Sequence, residues 1–391
     1  MWPALTAVVV AASLYVSGVY RHGGAKDIDA VYFYIAAKCW AAGVSPYDVT
    51  AYATMFQSVF GKPPDIGFVA YLPTLMLAVL PMAAFDWPVA AFVFSIMNFG
   101  AALVVLWSSA KLVRDIVGRP LGLVHWLWLA LGSTLGSFAA SIFTGQTSVI
   151  VAAGCAMALV GCRFNRTWLT VLGLVLASAK PHLSGPLILF IALFEPRQRR
   201  AVYLAALLSA LMIAYAAIVD PNLATSFMGS VNSYAGFSGN DPARLHGLVS
   251  LLRQAGASPE SSAVAGAAAL LGMMLFLAWN TWRSAQPLHQ LPMVIALLLL
   301  SAGLARSLQG YDLCIYAVAI SLLALLDWRV QVALLLPALV LWRPALFVSM
   351  VPRMNPVLLP TLCWLTLLIV SIVIVISQRR PRIADAASAM R

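Results

Sequence analysis

The sequence predicts an all-α, polytopic membrane protein with about twelve transmembrane helices, and three observations predict it. Of 391 residues, 62% are hydrophobic and only 9% charged, against about 25% charged in soluble domains. The apolar residues form continuous runs too long for the ten-residue alternation of a membrane barrel. The basic residues cluster between those runs, as loop anchors do. Because a lipid-facing backbone must satisfy its own hydrogen bonds, the long runs select helices.

Read in order, the runs are 2–20, 68–85, 88–108, 121–142, 148–162, 167–179, 183–194, 201–219, 262–282, 291–305, 313–326, 330–342 and 356–377. The first reads as a retained helix, since Met1-Trp2-Pro3 lacks the basic n-region of a signal peptide. Four basic clusters set the orientation: Lys111/Arg114/Arg119, Arg163/Arg166, Arg197/Arg199/Arg200 and Arg379/Arg380/Arg382. Placing all four in the cytoplasm requires that one early run does not cross. The run 68–85, interrupted by Pro73 and Pro81, is that one, read as a re-entrant or interfacial helix. Twelve spans remain, both termini cytoplasmic. The acids, not used to set this frame, fall unequally on it: nine of thirteen lie outside. The outer side also holds both long hydrophilic segments, 21–67 and 220–261. The expected organisation is one transmembrane domain over 1–378, with 21–87 as its first outer loop and 220–261 as its second, and a disordered cytoplasmic tail over 379–391.

Composition excludes several function classes. The net charge of +11 is dispersed among loops and forms no basic stripe interleaved with aromatics, so nucleic acid is not an expected partner. The five cysteines stand singly, without metal-ligand spacing. Nucleotide-cradling glycine loops and metalloprotease or hydrolase signatures are absent. No acid interrupts an apolar core, contrary to the usual need of ion-coupled transporters.

Four constellations at the outer ends of runs could carry chemistry. In the first, Asp29 precedes Tyr32-Phe33-Tyr34 and Ala36-Ala37, followed by Gly43-Val44-Ser45-Pro46-Tyr47-Asp48. A carboxylate there can deprotonate a hydroxyl at the membrane surface or cap the helix beginning near residue 30, and Asp27 competes for either role. In the second, Thr144-Gly145-Gln146-Thr147-Ser148 makes a tight turn that offers the Gln146 amide to a ligand, or merely caps a helix. In the third, Lys180-Pro181-His182 breaks a helix at membrane level, placing an ammonium that suits a phosphate or only snorkels. The fourth, Arg306-Ser307-Leu308-Gln309-Gly310-Tyr311-Asp312, supplies a second phosphate-binding cation, or an Arg306–Asp312 pair.

In chain order these constellations resemble glycosyltransferase family 87, the polyprenyl-phosphate-mannose-type branch of the GT-C membrane glycosyltransferases. Asp29 with its aromatics and alanines, Gly43-x-x-Pro46-Tyr47-Asp48, Tyr71-Leu72-Pro73, Gly145-Gln146, Lys180-Pro181 and Tyr311-Asp312-Leu313 carry the resemblance. It implies a GT-C fold with membrane-lying helices in the first outer loop. It also implies transfer of a sugar, mannose by family default, from a polyprenyl phosphate to a glycolipid, glycan or membrane-lipid acceptor. Asp29 would be the base of an inverting reaction, with Asp27 the alternative. Lys180, more than Arg306, would stabilise the leaving phosphate, and Tyr34, Tyr47, Gln146, His182, Tyr311 and Asp312 would contact substrate. The family's usual Ser-Pro-His before Tyr-Asp is here Ala305-Arg306-Ser307, so that histidine's contact is either missing or moved to His246 in the second outer loop. No cofactor is implied beyond the lipid-linked donor. The outer carboxylates are of the type that takes divalent cations, but no ligand set is spelled out. The implied home is a bacterial inner membrane, multi-pass, with the active site on the periplasmic face. A transporter or flippase of a lipid-linked saccharide would share the hydrophobic profile and is the competing reading. Nothing in the sequence sets an oligomeric state.

Overall fold

The computed structural model describes residues 29–282 apart from 68, 238–239 and 242–243, then 299–350, 355 and 357–377, together with positions 5, 6, 8, 10, 12 and 296. Asp27, most of the run 2–20, residues 291–295 and 297–298 of the run 291–305, and the tail 379–391 lie outside these residues. Among the described residues the chain is helical, and its one β-bridge joins His246 to Leu308.

The segment expected as the first outer loop contains α1 (Ala30–Ala41) and α2 (Val49–Phe60). The Asp48 carboxylate caps α2, accepting from the N–H groups of Thr50 and Ala51, so Ser45-Pro46-Tyr47-Asp48 is the turn its composition dictates. The loop then runs through Pro73–Ala84, a chain of short 3-10 and α turns interrupted by Pro81. At roughly 18 Å of helical rise this stretch is too short for a hydrocarbon core of about 30 Å. Its Thr74 hydroxyl donates to the Ser178 carbonyl, tying the loop to the turn that carries Lys180.

Next come α3 (Trp87–Val117), α4 (Leu123–Ser133), α5 (Gly136–Thr144), α6 (Ser148–Arg163), α7 (Thr167–Ala177) and α8 (Pro181–Phe194). After them run α9 (Arg199–Val219), α10 (Leu223–Ala235), α11 (Leu248–Gln254) and α12 (Pro259–Trp282), and later α13 (Trp328–Trp342) and α14 (Leu358–Ser377). The run 121–142, expected as one helix, is broken at Thr134-Leu135. The break is stabilised from a distant part of the chain. Arg343 donates to the Thr134 carbonyl at 2.8 Å, and the Trp342 indole donates to the Thr134 hydroxyl at 2.8 Å. A freed carbonyl in an apolar layer needs such partners.

The centre of the bundle is α6, whose residues are buried along nearly its whole length. It packs on α7 through small residues. A Cβ added at Gly154 would meet the Gly173 carbonyl oxygen at 2.8 Å, and one added at Gly173 would meet Gly154's at 2.6 Å. Such backbone approach is the packing mode of helices that lack a hydrophobic drive between them. At the periphery, α9 and α12 turn Tyr203, Leu211, Ile218, Val264, Leu271 and Leu275 outward, the arrangement expected where lipid is the solvent.

Five helical stretches among the described residues are long and apolar enough to cross a membrane: Trp87–Val117, Leu123–Thr144, Pro196–Val219, Pro259–Thr281 and Leu358–Ser377. The remaining apolar helices are 10–17 residues long, below the length of about 20 that spans unaided. Twelve crossings therefore do not follow from helix length.

Candidate functional site

Three helical N-termini line one cavity, those of α1 at Asp29, α8 at Lys180 and the 3-10 helix Gly310–Tyr316 at Gln309, and that of α6 lies behind them, where Ser148 touches Lys180 and Asp312. The N-cap residues of α1, α6 and α8 make no side-chain cap, whereas Gly310–Tyr316 is closed by a Gln309/Asp312 capping box; each terminus presents the positive end of a helix dipole. Two lobes share Ala70, Tyr71, Tyr234, Asn240, Gln309 and Tyr311 as common wall. The narrow lobe, about 90 Å³, contains Asp29 and Gln146. The wide lobe, about 590 Å³, contains Lys180, His182, Arg306 and Asp312.

Asp29 is placed by backbone. Its N–H donates to the Thr144 carbonyl at 2.8 Å, which seats the start of α1 on the turn after α5. Gly145 makes this possible: its φ is +74°, and a Cβ there would lie 2.3 Å from the Ala30 Cβ. Asp29 occupies the N-cap position, yet its carboxylate makes no capping hydrogen bond. The side chain instead faces the narrow lobe. Burial raises its pKa above the ordinary carboxylate value, partly opposed by the Gln146 and Thr144 side chains and by the charge of Lys180.

Lys180 is the best-satisfied charge in the site. Its ammonium, 2% exposed, reaches Asp312 at 3.0 Å, the Ser148 hydroxyl at 2.6 Å and the Gln146 Oε1 at 3.2 Å. The rings of Tyr311 and Tyr71 stand 4.9 and 5.4 Å from it, a cation–π setting. Asp312 also accepts from Ser148 at 2.6 Å and closes a capping box with Gln309. Of the two readings of Arg306, pairing with Asp312 gives way to a Lys180–Asp312 pair, because the turn before α8 lies beside Asp312. Arg306 is exposed on the wall of the wide lobe.

Asp29, Gln146, Lys180, His182, Arg306, Tyr311 and Asp312 are therefore brought to one cavity. Three other expected contacts line neither lobe. Tyr34 is buried, its hydroxyl donating to the Phe85 carbonyl at 2.9 Å. Tyr47 donates to the Tyr71 carbonyl at 2.6 Å and so holds a wall residue from behind. His246 exchanges two backbone hydrogen bonds of 2.8 Å with Leu308, fixing the strand-like stretch that follows Arg306. Its imidazole pKa is lowered by burial to about 4, so the ring is neutral near pH 7.

The structure adds wall contacts that the sequence does not assign, and two wall residues, Tyr234 and Asn240, that it does not mark. Tyr71 donates to Gln146 at 3.2 Å, fixing the amide between Lys180 and the Asp29 lobe. Gln309 donates to the Asn240 side chain at 3.0 Å, and Asn240 donates to the Tyr234 carbonyl. The Gln309/Asp312 box departs from the usual Ser/Thr-x-x-Glu/Gln pattern, and Tyr234 and Asn240 carry no local signal either. No group of three His, Cys, Asp or Glu side chains among the described residues could hold a metal.

The family model described as "Glycosyltransferase family 87" matches residues 68–307, more than half of the chain. No curated protein and no solved structure matches it.

Proposed function

This chain belongs to glycosyltransferase family 87 and is a membrane glycosyltransferase, and from that premise we propose how its cavity divides the labour of transfer. The donor is a polyprenyl-phosphate sugar, mannose by family default. Its phosphate occupies the wide lobe and its anomeric carbon points toward Asp29. Asp29 takes the proton of an acceptor hydroxyl, the freed oxygen bonds to the anomeric carbon from the opposite face, and the bond to the lipid phosphate breaks. The product is inverted, and the phosphate leaves with the electron pair.

The observation that carries this reading is the joining of two unlike environments in one cavity. On one side stands a desolvated carboxylate without a cap to serve, its pKa displaced toward the range where a general base works. On the other side stand Arg306, Lys180 with its Asp312 partner, and the N-termini of α8 and Gly310–Tyr316, with Arg306 and the helix ends favouring developing negative charge. Arg306 takes the contact role, since it is exposed and its guanidinium matches phosphate bidentately. Lys180, shared among Asp312, Ser148 and Gln146, contributes field and holds the wall. Both hydrophilic segments supply wall residues, Tyr32 from the first and Tyr234 and Asn240 from the second. This supports placing the site on the outer face of a bacterial inner membrane, with both termini in the cytoplasm.

The test is mass spectrometry of envelope lipids and glycans from cells lacking the protein, rescued by wild type or by Asp29→Asn. Loss of one sugar increment, restored by wild type alone, is expected. Equal rescue by Asp29→Asn would remove Asp29 as base. An unshortened saccharide accumulating on its carrier would replace transfer with transport.

A further inference from the structure

A second built cleft lies at the other end of the bundle. The helix α6 runs from Ser148, which touches the Lys180–Asp312 pair, to Arg163, which holds Asp115. Its length puts these two ends about 24 Å apart. Around the Arg163 end, the last turns of α3, the Gly118–Leu121 connection and Trp126 of α4 enclose a cleft of about 1010 Å³. Three cations line it: Lys111, Arg114 and Arg119. Lys111 and Arg114 are three residues apart on α3 and so share a face. The one carboxylate present, Asp115, accepts from both Nε and Nη2 of Arg163 at 2.6 Å. The cleft therefore has an uncompensated positive charge.

The surroundings are those of an amphipathic ligand. Lys111 sits between two rings, 4.6 Å from the centroid of Phe164 and 5.0 Å from that of Trp107. Trp107, Leu123 and Leu127 then carry an outward apolar surface away from the cations. The cleft also bridges two consecutive helices long enough to cross the membrane, which puts it at the headgroup level of one leaflet. A soluble anion would use the cations and leave the apolar flank unexplained. We propose that this cleft binds the phosphate headgroup of an anionic phospholipid, with the acyl chains laid along the α3 and α4 flank. This site rests on the membrane reading of the chain and not on the chemistry assigned to Asp29.

Native mass spectrometry of the full-length protein, in a neutral detergent and titrated with phosphatidylglycerol, tests the proposal. Each cation near a membrane surface is expected to contribute about fivefold. The Lys111→Gln/Arg114→Gln/Arg119→Gln variant should therefore lose on the order of 100-fold in phosphatidylglycerol affinity, with little change toward phosphatidylcholine. The charge-keeping variant Lys111→Arg/Arg114→Lys/Arg119→Lys should stay within a few-fold of wild type, which separates lost charge from lost folding. Arg329→Gln, which removes a cation beside Trp328 elsewhere, should bind as wild type does. Unchanged binding by the triple glutamine variant would overturn the proposal. So would equal loss in the charge-keeping variant, or displacement of the lipid by sodium phosphate at equal concentration, which would make the site one for a soluble anion.

Discussion

At the scale of single residues, Asp29 and Lys180 illustrate opposite treatments of a buried charge. Lys180 is given a carboxylate, a hydroxyl, an amide oxygen and two rings. Asp29 is left with its pKa raised. For a raised carboxylate the folded state holds its proton more tightly than the unfolded state does. Its stabilising effect is therefore present at low pH and is lost as pH rises through the folded pKa. Activity runs the other way, since a base must be ionised. Asp29→Asn should thus lose at least about 10²-fold in transfer rate while melting no lower than wild type, read by thermal unfolding in detergent. The acid limb of the kcat/KM profile should lie above the ordinary carboxylate range. The Gln146 side chain pulls that pKa down, so Gln146→Leu should move the limb to still higher pH. A limb that stayed fixed in the variant would mean that another group titrates.

At the scale of elements, the ends of helices carry the site and the buried ion pair holds two of them together. Lys180 heads α8 and Asp312 lies in the first turn of Gly310–Tyr316. Lys180→Met alone strands a buried carboxylate and should cost about 3–5 kcal/mol, whereas Lys180→Met with Asp312→Leu should recover most of it. The unfolding midpoints of the two variants decide the matter. Gly145 couples α5 to α1, and Gly145→Ala would drive a Cβ into Ala30 at a backbone angle that disfavours side chains. We expect a destabilisation of about 1–3 kcal/mol and a larger fall in kcat than in donor affinity, because Asp29 shifts while Arg306 does not. Equal effects on both would place the damage elsewhere. Helix ends were also what the sequence made legible. Asp29, Gln146, Lys180 and Asp312 stand where apolar runs stop, so their location at one end of the bundle is readable from hydropathy alone. Their partners are not: Lys180 and Asp312 are 132 positions apart, and local spacing offers Asp312 only the nearer Arg306. Likewise Tyr34 and Tyr47 combine aromatic mass with one hydroxyl, which serves a wall from behind as well as it serves a ligand. The break at Thr134 depends on donors from 342 and 343, which no local pattern announces.

At the scale of the whole molecule, the charges distinguish the two ends of the bundle more clearly than helix lengths do. Central helices such as α6 and α7 are short and reach one another through glycines, while the peripheral α3, α9 and α12 are long and outwardly apolar. A count of crossings from run length therefore mixes helices that face lipid with helices that face protein. Ser148, beside the cavity, and Arg163 stand at opposite ends of α6, about 24 Å apart, and the clustering of loop cations predicts that these ends face opposite sides of the bilayer. All five native cysteines are buried, which gives a quiet background for labelling. Ser233→Cys on exposed α10, beside the cavity, should react with a membrane-impermeant thiol reagent in intact spheroplasts. Arg166→Cys in the exposed turn between α6 and α7 should react only after permeabilisation. Labelling of both from one side would place the two ends on the same face. It would then overturn the orientation that the basic clusters predict, in which the outer constellations and the cationic loops face opposite sides.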